Sequence, residues 1–301
     1  MNRIVIMTLT YNRPGNLKQL YDTLQKQTNK DFVWMIIDDG SPQDLLSIVS
    51  EMTKEADFLI DYHRKENGGK SSATNFGLDR LDENDFVAII DDDELLYPDA
   101  IETIRSYAEK YSDTEVGVIN FMRNDKEGNP IATPVIDHDY IMSGEERLRR
   151  NYFSDGYVAY FMKSVGKCRF PVIEGEKYMG PSVLTTMVTE NCTILWTRKA
   201  LGTTEYLEDG ITKSGRVLRL KSPRGMAIYS MMIQSRNCGI KNRLKYAASY
   251  YAYLDYANID EKEFHKDWKY SLYCPIITKL LGRIISRQWK RQYGNVLNLK
   301  K

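Results

Sequence analysis

The sequence predicts an α/β fold, a mostly parallel sheet with helices on both faces, continued by a C-terminal helical region. Three observations carry this expectation. Through the first 123 residues, short apolar runs alternate with stretches of helical periodicity, and brief polar turns join them. The apolar run Phe86-Val87-Ala88-Ile89-Ile90 ends directly in Asp91-Asp92-Asp93-Glu94, so four carboxylates emerge together at the C-terminal tip of a buried strand. From Pro223 onward the pattern is helical again.

Residues 3–9 read as the first strand, and Pro14 starts a helical pattern with Leu17, Leu20, Tyr21 and Leu24 on one face. Phe32 to Ile37 form the second strand. Asp38-Asp39-Gly40 then turn the chain, and Ser41 as N-cap with Pro42 in the first turn begins a helix through Ala56. A third strand, Phe58 to His63, leads through Asn67-Gly68-Gly69 into a helix over Ser71 to Leu81. The fourth strand carries the acidic cluster, Pro98 opens the next helix, and Val116 to Met122 is a fifth strand. Beyond residue 125, Gly-Asn-Pro, Arg-Phe-Pro and Met-Gly-Pro breaks predict loops and short strands laid over the sheet edge, the kind of segment on which substrate surfaces are built.

At 301 residues, with 42% hydrophobic and 28% charged content, the chain can bury a large core and has the composition of a soluble globular protein. Its net charge of +1 gives no global attraction to nucleic acid. Cys168, Cys192, Cys238 and Cys274 lack paired ligand spacing, which argues against a zinc site or disulfide framework and for a reducing, cytoplasmic setting. The N-terminal apolar stretch is too short for a secretory signal, and no run reaches the roughly 18 apolar residues of a membrane span. Neither export by that route nor a bilayer-crossing helix is expected. His63, His138 and His265 are isolated and take no assignment.

Four segments fall at one edge of the expected sheet, where ligands of open α/β sheets bind: Thr8 to Arg13, Asp38 to Ser41, Asn67 to Gly77, and Asp91 to Glu94. Tyr11 suits stacking on a nucleobase, and Asp38 or Asp39 suits accepting its hydrogen bonds. Lys70 at a helix N-terminus, with Asn67, suits phosphate or sugar oxygens. Carboxylates packed this tightly repel unless a cation sits among them, so Asp91 and Asp93 suit Mg2+ or Mn2+ bridging a diphosphate. Each motif alone has a plainer reading: a solvated acidic turn, a helix cap at Ser41, close helix packing at Asn75 and Gly77. Their convergence favours a site.

Thr10-Tyr11-Asn12, Asp38-Asp39-Gly40-Ser41, the spacing Asn67-x-Gly69-x-x-x-Ala73-x-Asn75-x-Gly77, and Asp91-Asp92-Asp93-Glu94 with Leu96 and Pro98 together resemble the family 2 glycosyltransferases of GT-A fold, of the bacterial surface-polysaccharide type. That fold is Rossmann-like. The resemblance implies a nucleotide-sugar donor, usually uridine-linked, bound by Thr10, Tyr11, Asn12, Arg13, Asp38, Asp39, Asn67, Gly69, Lys70, Asn75 and Asp92. It also implies a metal pair, Asp91 and Asp93, and inversion at the anomeric carbon. The organisation expected is a GT-A domain over residues 1–222, with a donor half 1–123 and an acceptor part 124–222, followed by a helical region 223–301.

Inverting transfer needs a base to take the acceptor proton while metal and cationic groups stabilise the departing diphosphate. In similar proteins the base lies in a Glu-Asp pair after the long middle loop. The nearest match is Gly175-Glu176-Lys177-Tyr178, with Lys177 in place of the second acid, which makes Glu176 the candidate and Glu174 and Glu190 the alternatives. Tyr206 to Arg216 looks like the segment that closes over the donor in similar enzymes, where Lys213 and Arg216 would offset leaving-group charge. A solvated charged loop is the plainer reading.

The acceptor implied is a hydroxyl of a glycan or lipid-linked oligosaccharide. The tail, Trp268 to Tyr293, interleaves basic residues and tryptophans with branched aliphatics. It reads either as an interfacial helix that brings the protein to the inner face of an anionic cell membrane, or as an amphipathic helix packed on the main domain or a second subunit. Two rivals come from other classes. Lys70-Ser71 after two glycines, with a later strand ending in aspartates, is similar to a phosphate-binding-loop nucleotide hydrolase, but Arg64 stands where that loop needs its first glycine. A non-catalytic metal- or carbohydrate-binding module would use the acidic cluster without any base.

Overall fold

The computed structural model describes residues 3–131, 137–152, 156–180, 182–204, 215–268, 270, 272–273 and 275–294. Its first elements are β1 (Arg3–Thr10), α1 (Pro14–Leu24), β2 (Val33–Asp38), α2 (Leu45–Glu55), β3 (Leu59–Arg64), α3 (Lys70–Leu78), β4 (Asp85–Ile89), β5 (Glu94–Leu96), α4 (Ala100–Tyr111) and β6 (Val116–Asn124). Then come β7 (Tyr140–Ser143), α5 (Gly144–Arg150), β8 (Tyr157–Phe161), α6 (Met162–Val165), α7 (Ser182–Val188) and β9 (Thr193–Thr204). Four longer or shorter helices follow α8 (Gly215–Leu220): α9 (Pro223–Gln234), α10 (Ile240–Ala257), α11 (Glu261–Asp267) and α12 (Ile276–Tyr293). The described residues form two compact units, one holding the sheet and one holding α8 to α12 together with residues 145–152 and 171–186.

In the first unit, β3, β2, β1 and β4 lie side by side and parallel, so their C-terminal ends share one edge. β2 is buried along its whole length and β1 along all but its first residue, the near-continuous apolar pattern of strands covered on both faces. One contiguous core joins Leu17, Leu20 and Leu24 of α1, Val49 and Met52 of α2, and Ile101 and Ile104 of α4 to the strand residues Trp34, Phe86 and Phe121. The α/β class and the parallel N-terminal half are as expected. Beyond β4 the sheet is mixed: β8 is antiparallel to both β4 and β6, β9 is parallel to β6, and β5 and β7 are antiparallel to β9.

Two expectations need correction here. The segment after residue 125 is only in part laid at the sheet edge: β7 is a short strand there, paired with β9, but β8 inserts between β4 and β6 in the middle of the sheet. Its run Tyr157 to Phe161 pairs with strands distant in sequence, so no local hairpin signal marks it. Ser41 is not the N-cap of α2. Asp44 is, its carboxylate accepting the Ser47 N–H, while the Ser41 hydroxyl accepts the Asn12 N–H at 2.8 Å and ties the ends of β1 and β2 together. The short strand β5 has its own device: a Cβ on Gly202 of β9 would stand 2.0 Å from the Leu95 carbonyl oxygen, so only glycine lets β5, with Glu94 at its start, approach β9 so closely.

The second unit is helical, as the periodicity from Pro223 predicts. Met226, Ile228 and Met231 of α9 pack with Tyr250, Tyr253, Leu254 and Tyr256 of α10 and Trp289 of α12. α12 lies directly on α10 at Gly282, where a Cβ would come 2.5 Å from Tyr251 Cβ and 2.9 Å from the Ala248 carbonyl oxygen.

Candidate functional site

The parallel register sets Thr10, Asp38 and Arg64 abreast at the ends of β1, β2 and β3, and the acidic run follows the end of β4 beside them. Hydrogen bonds then lock the tips to one another. Thr10 Oγ1 donates to Asp92 Oδ2 at 2.7 Å, and the Arg13 guanidinium reaches Asp92 at 3.2 Å and Asp93 at 3.6 Å. Asp92 is almost fully buried; desolvation raises its pKa from its ordinary value against the Thr10 hydroxyl and the Arg13 charge, which lower it.

Asp38 and Asp39 shape the neighbouring tips. Asp38, with no exposed surface, accepts the Ser41 N–H and the Tyr62 hydroxyl at 2.8 Å each. Asp39 Oδ1 accepts the Gly68 N–H and Lys65 Nζ, and Oδ2 accepts the Gly69 N–H at 2.7 Å. The Asn67 amide adds a 2.7 Å bond to the Asp39 carbonyl. The loop that leads into α3 is therefore wrapped around one carboxylate. This arrangement speaks against a phosphate-binding loop, since the Gly68 and Gly69 amides already serve Asp39. Gly69 itself is the N-cap of α3 at φ +83°, a left-handed conformation that favours glycine.

Lys70, the first residue of α3, pairs with both oxygens of Asp91 at 2.5 and 2.8 Å. Desolvation opposes both charges, yet their mutual attraction outweighs it, raising Lys70 and lowering Asp91 from their ordinary values. Glu94 is buried, accepts the Asp91 N–H at 3.0 Å, and pairs with Arg123. Arg123 lies 5.0 Å from the Tyr157 ring centroid. Burial pushes Glu94 up to about 8 although Arg123 pulls the other way.

The repulsion that pointed to a metal is thus already countered by protein cations, Lys70, Arg13 and Arg123. Among the described residues no group of three or more His, Cys, Asp or Glu side chains converges to hold an ion unaided. Asp91 and Asp93, partly exposed hard-oxygen donors, would supply two ligands to Mg2+ or Mn2+, ions that commonly complete their shells with substrate phosphates and water.

Other candidates fall less centrally. Tyr11 is 50% exposed after β1, and Asn12 beside it adopts a left-handed φ of +57°. Asn75 is engaged with Phe170: its amide donates to the Phe170 carbonyl and accepts the Phe170 N–H, both at 2.8 Å, so it clamps the backbone after α6. Gly77 serves packing, because a Cβ there would meet Met7 Sδ at 2.3 Å. Lys213 lies outside the described residues. Arg216, in the helical unit, stacks over Trp289 at 4.9 Å.

Glu176 also belongs to the helical unit. A turn over Ile173 to Glu176, with Gly175 at φ +78°, presents its carboxylate to the start of α9, where it accepts the Arg224 N–H at 2.9 Å and the Gly225 N–H at 2.8 Å. Desolvation raises its pKa, and those two amides oppose the rise. Glu174 and Glu190 are exposed.

Arg123 and Lys65 are the residues that sequence reasoning missed. Neither sits in a motif, and only the insertion of β8 and the folding of the loop around Asp39 reveal them; charge balance against the acidic run is the one signal that calls for further cations. Arg123→Met should leave Glu94 without its counter-charge and cost about 3–5 kcal/mol if Glu94 stayed ionised. The cost should depend on pH. Because Glu94 in the folded protein titrates near 8 against its ordinary 4.5, the folded state holds the extra proton across that interval and stability falls as pH rises through it. Without Arg123 the carboxyl is harder still to ionise, so denaturant unfolding should show a stability deficit for the variant that is small near the acid end and grows toward alkaline pH; a deficit that shrinks as pH rises would contradict the assignment.

Comparison with known proteins gives the chain a family and a fold. The sequence model of glycosyl transferase family 2 matches residues 5–166. The glycosyltransferase GlyA of Streptococcus pneumoniae is 30% identical over 128 residues, 42% of this chain and 18% of that protein. A GalNAc(5)-diNAcBac-PP-undecaprenol beta-1,3-glucosyltransferase of Campylobacter jejuni is 28% identical over 170 residues, 55% of this chain and 53% of that one. Both matches thus span less than two thirds of the relative's own length. Staphylococcus aureus TarS 1-349, solved in complex with UDP-GlcNAc, superposes with a TM-score of 0.65 over 98% of this chain and 88% of that chain at 13% identity, a likeness of fold.

Proposed function

Because the chain belongs to glycosyl transferase family 2, we propose that it moves a sugar from a uridine diphosphate sugar to a hydroxyl of a glycan or lipid-linked acceptor, with inversion at the anomeric carbon and the help of Mg2+ or Mn2+. The observation that carries the reading is the convergence of Thr10, Asp39, Lys70 and the Asp91 to Glu94 run on one edge of a parallel sheet, with Tyr11 exposed beside them. The fold neighbour bound to UDP-GlcNAc supports the donor class, and the Campylobacter relative, named for an undecaprenol-linked glycan, supports the acceptor class. A cytoplasmic site of action, in the synthesis of cell-envelope polysaccharide, follows from the same reading.

Tyr11 stacks on the base. Asp39 Oδ2 accepts one backbone amide and keeps a lone pair for a base N–H, whereas Asp38 is enclosed by Ser41 and Tyr62. Lys70 and Arg13 stand beside the carboxylates that would meet the diphosphate, and they offset charge as the leaving group departs. Asp91 and Asp93 would hold the divalent ion, which supplies charge neutralisation on the diphosphate oxygens. Glu176 takes the acceptor proton as the acceptor oxygen bonds to the anomeric carbon and the bond to the diphosphate oxygen breaks.

A thermal-shift panel tests the donor class. Every uridine diphosphate sugar and UDP itself should stabilise the protein in the presence of Mn2+, by about 2.7 kcal/mol at a hundredfold excess over Kd, and ATP should not. Equal stabilisation by ATP, or none by any uridine nucleotide, would contradict the proposal.

A further inference from the structure

α12 is amphipathic in an inverted sense. Its buried face carries the small or polar residues Thr278, Gly282 and Ser286 together with Trp289, while Ile276, Ile277, Leu280, Leu281 and Ile284 point outward, 43–83% exposed. Burial on α10 therefore does not explain the aliphatic residues; close approach at Gly282 and the Tyr253–Trp289 contact at 4.8 Å hold the helix by its other side. Five large aliphatics in solvent over about 12 Å of helix axis, at 1.5 Å per residue, form a contiguous patch of the kind that marks an interaction surface.

Charge identifies the occupant. α12 has no acidic residue, and five cations lie along it. Lys279 is turned to Glu261 at 2.8 Å and Lys290 to Asp255 at 3.6 Å. Arg283, Arg287 and Arg291 are exposed, and none has an ion pair to a described carboxylate. At 100° per residue, Arg287 and Arg291 continue the outward stripe begun by Leu280 and Ile284, so the face is aliphatic in its first turns and guanidinium-bearing in its last. A second copy fits this poorly: in a parallel pair the arginines would meet each other, and in an antiparallel pair they would land on the isoleucines. No described helix is long and apolar enough to cross a membrane. A face that offers aliphatic side chains to acyl chains and guanidinium groups to phosphates in the same plane matches the surface of an anionic bilayer.

We infer that α12 is an interfacial membrane anchor that docks the protein on anionic lipid, with Ile276 to Ile284 entering the acyl boundary and Arg283, Arg287 and Arg291 binding headgroup phosphates. The inference does not depend on the proposed sugar transfer. The test is flotation of the full chain with vesicles of phosphatidylcholine alone or of phosphatidylcholine mixed with phosphatidylglycerol. The wild type should partition onto the mixed vesicles at least about tenfold more strongly than onto phosphatidylcholine, and raised salt should weaken it. Ile277→Ser with Leu280→Ser and Ile284→Ser, and separately Arg283→Gln with Arg287→Gln and Arg291→Gln, should each lower that partitioning about tenfold or more at unchanged melting temperature, since all six side chains are exposed. Partitioning that ignores lipid charge, or that survives both sets of substitutions, overturns the inference. So does a protein that ignores vesicles and instead forms a concentration-dependent dimer that the serine variant dissolves.

Discussion

Glu176→Gln should lower kcat by about a thousandfold, the middle of the range for loss of a general base, while nucleotide-sugar binding stays within a few-fold of wild type. The variant keeps the size of the side chain but can accept only one of the two α9 amides, so a loss of about 1 kcal/mol in stability is expected beside the kinetic effect. The pH–rate profile separates the two roles. A base must be ionised to act, and desolvation raises the Glu176 pKa; wild-type kcat should therefore fall as pH drops through a value above that of an ordinary glutamate, and the residual activity of the variant should lack that limb. A variant with the stability loss but kcat within tenfold of wild type would reduce Glu176 to a helix cap and move the base to Glu174 or Glu190.

Asp91→Asn and Asp93→Asn should each lower kcat/KM by about a hundredfold or more, the scale of losing a ligand to an ion that stabilises a departing diphosphate. Asp91→Asn has a second consequence. Asp91 holds Lys70 by both oxygens and raises its pKa, so the variant should release that ammonium and leave it to interact with phosphate directly. Titrating Mn2+ against turnover distinguishes the outcomes: the variants should need far more ion to reach their maximal rate. Wild-type turnover unchanged by a chelator, with both variants within a few-fold of normal, would mean that Lys70, Arg13 and Arg123 alone stabilise the leaving group.

Much of the donor half was legible because it is locally encoded. Apolar runs of strand length, Pro14 at a helix start, and turns rich in Asp and Gly fixed the order of β1 to β4, and a parallel arrangement of those strands then brings their tips together. The contacts at the tips were not legible. Asp39 looked like a ligand contact and is also the keystone of the loop from Asn67 to Gly69, a role that depends on β2 and β3 being neighbours. Arg123 is not legible because it meets its partner Glu94 through tertiary pairing alone, β6 lying against β8 and β5 against β9. The acidic run alone could not tell a metal from a lysine and two arginines as its counter-charge, since Coulomb's law rewards either. For the tail, the sequence revealed an amphipathic composition but not which side faces inward. That depended on Gly282 fitting the α10 backbone, which turns the aliphatic stripe outward.

On the proposed reading the tips of β1, β2 and β4, with the loop into α3, would grip a uridine diphosphate group, and Asp91 and Asp93 would hold its divalent ion. Crystals soaked with Mn2+ and UDP, with diffraction data collected at the manganese edge, test it most directly. One anomalous peak is expected at the Asp91 and Asp93 carboxylates, with the uracil against Tyr11 and Asp39. Nucleotide bound elsewhere, or bound there with no manganese on either aspartate, would contradict it.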